Sequence, residues 1–162
     1  RLMRINHAGE VSAQGLYRGQ ALVSKQPSTK AHLHEAALEE ADHLDWCNRR
    51  LQALNGRPSY LGGFWYWGSF AIGAVTGSLG DKISLGFVKE TEDQVMKHID
   101  QHLIQLPTHD LADVAVLQQM KVDEAKHGHD AMENGGAKLP FPIRKLVMPL
   151  LSKIMTKTSY YI

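Results

Sequence analysis

The 162-residue chain has only one cysteine, Cys47, and no acidic residue after Glu133. One thiol cannot close an intramolecular disulfide or build a cysteine-rich zinc or iron–sulfur site, so both kinds of protein are excluded. The formal net charge of +1 gives no basis for nucleic-acid binding, and no nucleic-acid partner is expected. With 43% hydrophobic and 22% charged residues, the composition is typical of a single folded domain.

The sequence also lacks the apolar–polar alternation of β-strands. Apolar side chains recur instead every three or four residues, which predicts an all-α protein of four long helices and a short, amphipathic C-terminal helix after Pro142. The predicted breaks follow turn-forming residues near Pro27, Asn55, Pro107 and Asn134. Thr108 or Asp110 is the expected cap of the fourth long helix.

Each long apolar stripe contains one glutamate. Glu40 and Glu124 begin Glu-x-x-His motifs that end at His43 and His127, whereas Glu10 and Glu92 stand alone. Residues at i and i+3 share a helix face, and a carboxylate on a buried face is costly unless it is paired or binds metal. A single Glu-x-x-His motif is common on solvated faces, so the evidence for a metal site comes from the repetition.

The spacing of these residues predicts two helical hairpins of one design. Glu10 precedes Glu40 by 30 residues, Glu92 precedes Glu124 by 32, and the two histidines are 84 residues apart. An antiparallel bundle would bring all six to one midpoint, as in ferritin-like dimetal proteins. We expect Glu40 and Glu124 to bridge two metals, with His43, His127, Glu10 and Glu92 as terminal ligands. Oxygen and imidazole ligands favour iron or manganese.

Other polar residues are predicted to have supporting roles. Glu39 and Asp123, which directly precede the two motifs, are expected to accept hydrogen bonds from the ligand histidines. Three further histidines are candidates for groups beside the metals or in a channel: His7, His98 and His102. Cys47 is interpreted as a core residue. Tyr17, two turns from Glu10, is interpreted as a core tyrosine, with a redox or proton-donating role as the alternative.

The opening Arg4-Ile5-Asn6-His7-Ala8-Gly9-Glu10 resembles that of the demethoxyubiquinone hydroxylases. The resemblance continues through Tyr17-x-Gly19-Gln20, both Glu-x-x-His motifs and Glu92, and so covers nearly the whole chain. It implies that the iron ligands, which are also the catalytic residues, are the six chosen by spacing: Glu10, Glu40, His43, Glu92, Glu124 and His127. One departure is Ile99, where better-known animal members have tyrosine after a histidine.

The resemblance implies a monooxygenase with two iron ions as cofactor. It would use O₂ to hydroxylate the ring of demethoxyubiquinol, 2-polyprenyl-3-methyl-6-methoxy-1,4-benzoquinol, in ubiquinone biosynthesis. No nucleotide-binding Gly-x-Gly-x-x-Gly fingerprint is present, so an external reductant, NADH or a reductase, is expected. Other ubiquinone-biosynthesis proteins are further candidate partners. The alternatives are a diiron quinol oxidase and a ferritin- or rubrerythrin-like protein that handles iron or peroxide.

Residues 58–80 contain no charged side chain but six glycines, and their length would suit a transmembrane helix. A single crossing is incompatible with the dimetal site, because it would put Glu40 about 25 Å and Glu92 about 17 Å from opposite faces of the bilayer. We therefore predict an interfacial connection that continues into the third long helix. Together with the basic residues that follow Glu133, it predicts a peripheral protein on an anionic leaflet.

We expect this surface to be the cytoplasmic face of a bacterial inner membrane, with the matrix face of the mitochondrial inner membrane as the alternative. The sequence begins at Arg1, and a preceding segment that could hold a signal or transit peptide is expected. Residues 1–133 are predicted to form the ferritin-like bundle. Residues 134–162 are predicted to be a basic amphipathic segment of the same domain. An apolar channel is expected between the metals and the surface formed by residues 60–80 and this segment.

Overall fold

The computed structural model describes residues 1–107 and 109–162, so Thr108, one of the two predicted caps, lies outside the described residues. Six α-helices and no strand occur in the part of the chain that is described: α1 Leu2–Val23, α2 Pro27–Ala53, α3 Gly62–Ser78, α4 Asp81–Gln105, α5 Leu111–Glu133 and α6 Met148–Tyr161. A π-helical turn, Ile143–Val147, leads into α6. The all-α helical bundle is therefore confirmed, while the closer likeness to ferritins stays a prediction.

The helix boundaries follow the local chemistry that predicted them. Pro27 occupies the first position of α2, where its missing N–H costs no helical hydrogen bond. Asp110 caps α5, and its carboxylate accepts a hydrogen bond from the backbone N–H of Asp113 at 3.2 Å. Beyond α5 the chain turns through Gly135, whose φ of 97° is strained for any residue with a side chain.

The core consists of two apolar clusters, and each draws residues from α1, α2, α4 and α5. The first cluster is formed by Ala13, Leu16, Tyr17, Ala21, Leu33, Ala36, Ala37, Leu85, Val88 and Ala131. The second is formed by Met3, Cys47, Leu51, Ile99, Leu117 and Met120. Helix α1 enters the first cluster with its C-terminal half and α2 with its N-terminal half, so the two helices are antiparallel. The same comparison shows that α4 and α5 are antiparallel.

Residues 58–80 were predicted to be a connection that continues into the third long helix, and the structure shows that this prediction is wrong. Residues 62–78 form a helix of their own, α3, and the chain breaks before α4 at Gly80, whose φ is 112°. Helix α3 packs on α1 with almost no space between the two backbones. A Cβ on Gly73 would lie 2.1 Å from the carbonyl oxygen of Leu16, and a Cβ on Gly19 would lie 2.1 Å from that of Phe70.

The outward sides of α3 and α6 carry large apolar side chains. We define the apolar outer face as the exposed residues Phe64, Trp67 and Val75 of α3, Leu79 directly after α3, Leu146 and Val147 of the π-helical turn, and Leu150 and Ile154 of α6. The inward side of α6 packs on the bundle, where Ser12 of α1 donates a hydrogen bond to the sulfur of Met155 at 3.2 Å. None of the described helices has both the length and the apolar character that spanning a bilayer requires.

The glycine contact between α1 and α3 gives the first testable prediction. We expect Gly73→Ala to lower the free energy of unfolding by about 2 to 3 kcal/mol, or to prevent folding, because the new methyl group overlaps the backbone of α1. Urea denaturation followed by circular dichroism measures the change. Gly68→Ala is the matched control on the same helix. Nothing lies within 4 Å of its new Cβ, so it should gain up to about 1 kcal/mol. Equal effects would contradict the packing account.

Candidate metal centre

All six predicted site residues meet in the layer between the two apolar clusters. On each helix the glutamate lies between a residue of one cluster and a residue of the other, as Glu10 does between Met3 and Ala13. The six side chains come from four helices and are buried: Glu10 of α1, Glu40 and His43 of α2, Glu92 of α4, and Glu124 and His127 of α5. The predicted gathering of these residues at one midpoint is present in the structure.

Ligand atoms of these residues form two overlapping groups. One group contains Glu10, Glu40, His43 and Glu124, and the other contains Glu40, Glu92, Glu124 and His127. Within each group the atoms lie within 4.8 Å of one another, close enough to surround one ion. Glu40 and Glu124 belong to both groups, which is the arrangement expected of carboxylates that bridge two metals.

Both histidines turn the same ring atom towards the carboxylates. Nδ1 of His43 lies 3.3 Å from Oε2 of Glu40 and 3.4 Å from Oε1 of Glu124. Nδ1 of His127 lies 3.3 Å from Oε2 of Glu124 and 3.6 Å from Oε1 of Glu40. The imidazoles are therefore oriented so that Nδ1 is the atom available for a metal.

The other ring nitrogen of each histidine contacts a carboxylate outside the cluster, and the two pairs are crossed. Nε2 of His43 lies 3.1 Å from Oδ2 of Asp123, and Nε2 of His127 lies 2.6 Å from Oε2 of Glu39. The predicted hydrogen bonds are thus present. The sequence did not say that the acid before one motif would serve the histidine of the other. A hydrogen bond from Nε2–H to a carboxylate fixes the orientation of the ring. It also leaves the lone pair of Nδ1 free to bind a metal.

The pKa values of several of the six site residues are shifted far from their ordinary values. Burial, followed by repulsion from Glu40, raises the pKa of Glu10 well above its ordinary value of 4.5, and burial with repulsion from Glu124 does the same to the pKa of Glu92. Burial opposes the charged form of His127, but hydrogen bonds to Glu124 and Glu40 outweigh it and raise its pKa to about 11. The pKa of His43 is raised for the same reason by Glu10, Glu124 and Glu40.

Glu40 shifts in the opposite direction. Burial alone would raise its pKa, but hydrogen bonds with Glu10, His127 and His43 outweigh burial and lower it. Among the described residues, three buried carboxylate oxygens have no hydrogen-bond partner: Oε1 of Glu40 and both oxygens of Glu92. Buried acceptors without partners are costly, and cations between these groups would remove that cost. The donor set therefore fits a pair of divalent metals.

A cavity of about 310 Å³ lies beside this cluster, with Glu10 in its wall. Its lining is mostly apolar and comes from α1, α3, α4 and α6. It includes exposed residues of the apolar outer face, such as Phe64 and Ile154, so it extends from the metal centre to that face. An apolar passage was predicted at this place. His98 lies in its wall and hydrogen-bonds Oγ of Ser152 through Nε2 at 2.9 Å.

The remaining predicted residues lie outside the metal cluster. Nδ1 of His102 is 2.7 Å from Oδ1 of Asn6, and His7 is buried. Cys47 and Tyr17 are fully buried members of the two apolar clusters, which agrees with their interpretation as core residues. Trp65 lies within residues 60–80, which were expected to border the channel, whereas sequence reasoning missed Gln94 in the cavity wall. Gln94 lies outside the motifs, and only the packing of α4 beside α3 and α6 places it in the cavity wall.

Comparison with known proteins identifies the family. The model of the family described as ubiquinone biosynthesis protein COQ7 matches residues 1–159. The chain belongs to this family. The predicted membership of the demethoxyubiquinone hydroxylases is thereby confirmed. Curated relatives named 3-demethoxyubiquinol 3-hydroxylase include one from Francisella tularensis subsp. holarctica (strain FTNF002-00 / FTA), 57% identical, and one from subsp. novicida (strain U112), 56% identical. Each match covers 98% of this chain and 75% of the relative.

The shifted pKa values predict how the free energy of unfolding of this COQ7 family member depends on pH when no metal is bound. Glu10, Glu92, His43 and His127 hold protons in the folded state that the unfolded chain releases above pKa values of 4.5 and 6.5. The unfolded state then binds fewer protons, so the free energy of unfolding falls as pH rises from about 5 to about 9. The slope is about 1.4 kcal/mol per pH unit for each such proton. The lowered pKa of Glu40 affects the free energy of unfolding only below pH 4.5, which is outside this pH range.

Urea denaturation in a chelator, repeated with Mn²⁺, checks this prediction. Divalent metal should flatten or reverse the slope, because metal binding requires deprotonated ligands and itself stabilises the folded state. The double variant Glu10→Gln/Glu92→Gln should lose about half of the slope without metal, because His43 and His127 keep their protons beside Glu40 and Glu124. Asp42→Asn/Glu133→Gln, at two exposed carboxylates, is the matched control and should keep it. An unchanged slope in the first variant would contradict the assignment of these protons.

Proposed function

We propose that this chain is a diiron monooxygenase that uses O₂ to hydroxylate the ring of demethoxyubiquinol in ubiquinone biosynthesis. The family model and the relatives' names support a hydroxylase of this pathway. The observation that carries the detailed proposal is the position of Glu10. It belongs to one of the two overlapping ligand groups and also to the wall of the apolar cavity. A metal pair held there would be in reach of an apolar substrate.

Each site residue has a defined task in this proposal. Glu40 and Glu124 would bridge the irons, and the other four would bind one iron each: Glu10, His43, Glu92 and His127. Two irons at these ligands would supply the redox chemistry that activates O₂. Glu39 and Asp123 hold the two imidazoles in place through Nε2. The two apolar clusters on either side exclude water from the centre and keep the carboxylates fixed.

The cavity fits the substrate that the family implies. Its lining is predominantly apolar, which suits a quinol ring that bears a polyprenyl tail. The polar groups available along α4 and α6 to orient the ring oxygens are Thr91, Gln94, His98, Ser152 and Thr156. Because the lining includes residues of the apolar outer face, a tail could remain outside the protein while the ring approaches Glu10. The external reductant and other ubiquinone-biosynthesis partners stay predictions.

We further propose that the apolar outer face lies on a membrane. Exposed clusters of Phe, Trp and Leu are uncommon on monomeric proteins and mark interaction surfaces. Lys145, Lys153 and Lys157 flank this face, as expected for a helix that lies at an anionic lipid surface. Phe64 and Ile154 of this face also line the cavity, so docking would bring a lipid-dissolved substrate to the cavity directly.

A single turnover tests the proposed reaction. The protein is loaded with Fe²⁺, mixed with a short-chain demethoxyubiquinol and ¹⁸O₂, and the quinone product is examined by mass spectrometry. We expect one labelled oxygen in the product, since one atom of O₂ enters the ring. Glu40→Ala should reduce the yield by at least ~100-fold, because it removes a carboxylate shared by both ligand groups. Lys30→Ala, an exposed change on the same helix, should retain full yield.

The other outcomes of this experiment identify the alternatives. Quinol consumed with label only in water would mean a quinol oxidase, with the metal site intact. Iron oxidised without any change in the quinol would favour an iron- or peroxide-handling protein. Full activity of Glu40→Ala would contradict the whole catalytic assignment.

Vesicle flotation tests the proposed membrane contact. We expect Trp67→Ser/Leu150→Ser to lower binding to phosphatidylcholine vesicles by at least ~10-fold, because each side chain contributes about 1.5–3 kcal/mol when it leaves water. Leu38→Ser/Ile104→Ser removes two equally exposed apolar residues of α2 and α4 outside the apolar outer face, and should leave binding unchanged. Equal losses would show that no particular face contacts the bilayer.

A further inference from the structure

A second groove, of about 690 Å³, lies between α4 and the C-terminal segment. We call it the basic groove because five bases line it: Lys97 of α4, Arg144 and Lys145 of the π-helical turn, and Lys153 and Lys157 of α6. Glu90 is the one acid in its lining. The chain as a whole has 18 bases and 17 acids, so this balance is local to the groove.

The charge of the basic groove is largely unneutralised. Nε of Arg144 is 4.0 Å from Oε2 of Glu90, and this nitrogen has no hydrogen-bond partner among the described residues. Within the same part of the chain, none of the four lysines forms an ion pair with an acid. Lysines from three different elements therefore line one concavity, in which Glu90 is the one acid.

The two histidines of the groove do not add to this charge at neutral pH. Burial lowers the pKa of His98 below its ordinary value, and burial with repulsion from His98 lowers the pKa of His102 to about 4. Both rings are neutral and can act as hydrogen-bond donors or acceptors. Tyr160 and Tyr161 add hydroxyl groups to the wall, so the groove combines positive charge with neutral polar groups.

We propose that the basic groove binds a phosphate group, carried by an anionic phospholipid or by a soluble phosphate compound. Lys97 and Lys153, on the two helices that face one another, are its principal contacts. Lysine ammonium groups bind phosphate as point charges, and several of them in one concavity favour a multiply charged anion over a single carboxylate. The volume leaves room for the group to which the phosphate is attached.

The position of the groove supports both sources of phosphate. Lys153 and Lys157 lie on the same helix as Leu150 and Ile154 of the apolar outer face, so docking of that face would bring these lysines near lipid headgroups. The lipid source rests on the proposed membrane contact, whereas a soluble source does not. His98 and Ser152, which hydrogen-bond one another, line both this groove and the substrate cavity. Ile5, Gln94 and Thr156 also line both, so a bound phosphate compound would be separated from the substrate by these shared side chains.

Two binding assays on the full chain test the proposal without use of iron or quinol. The first is calorimetric titration with inorganic phosphate at constant ionic strength. The second is flotation on phosphatidylcholine vesicles with and without phosphatidylglycerol, scored as the gain in binding that the anionic lipid produces. We expect Lys97→Gln/Lys153→Gln to reduce phosphate affinity, the gain on anionic vesicles, or both, by about tenfold. Lys25→Gln/Lys30→Gln makes the same change of charge outside the groove and should change either value less than about twofold.

The pattern of losses identifies the source of the phosphate. A loss confined to the titration assigns the groove to a soluble phosphate compound, and a loss confined to the gain on anionic vesicles assigns it to a phospholipid headgroup. Equal behaviour of the two double variants, or no saturable phosphate binding together with no gain on anionic vesicles, would overturn the proposal. Because the apolar outer face is tested on phosphatidylcholine alone, a failure of membrane docking is distinguishable from a failure of the basic groove.

Discussion

The structure depends on the free-energy cost of four carboxylates buried in one layer of a helical bundle. Four like charges cannot remain ionised at such short distances without cations or protons between them. The two histidines with raised pKa values, the protons held by Glu10 and Glu92, and the lowered pKa of Glu40 are all consequences of this constraint. A globular domain gains no stability from such a layer, so its presence in the core argues for metal binding.

The apolar clusters on either side make this layer possible. They are built from the same helices, α1, α2, α4 and α5, and hold the ligand-bearing turns in register from both directions. Glu39 and Asp123 add a second restraint, because each links a histidine of one helix to an acid of the other helix of the α2–α5 pair. The cluster is thus fixed by packing along the bundle and by hydrogen bonds across it, which suits ligands that must keep their positions as the charge between them changes.

The four long helices and the six site residues could be predicted because apolar residues and glutamates recur in the sequence at regular spacings. Glu10, Glu40, Glu92 and Glu124 each interrupt an apolar stripe, and their matched spacing implies one layer of the bundle. Helix α3 could not be predicted in the same way. Gly73 and Gly77 are explained by their contact with the backbone of α1 at Leu16 and Gln20, more than fifty residues away, and a pairing between distant helices has no local signature. The crossed pairs of His43 with Asp123 and His127 with Glu39 depend on the rotation of α2 against α5, which spacing does not specify.

Helix α3 connects the packing of the protein to its proposed function. Gly73 and Gly77 bring one side of the helix onto the backbone of α1, the helix that carries Glu10, so no large side chains separate the two there. Its aromatic side chains are therefore placed on the remaining surface, where Phe64 and Trp65 line the cavity and Trp67 is exposed. A helix with bulky residues at the glycine positions would stand further from α1 and widen the space beside Glu10. Gly73 and Gly77 thus help to set the size of the cavity beside the metal centre.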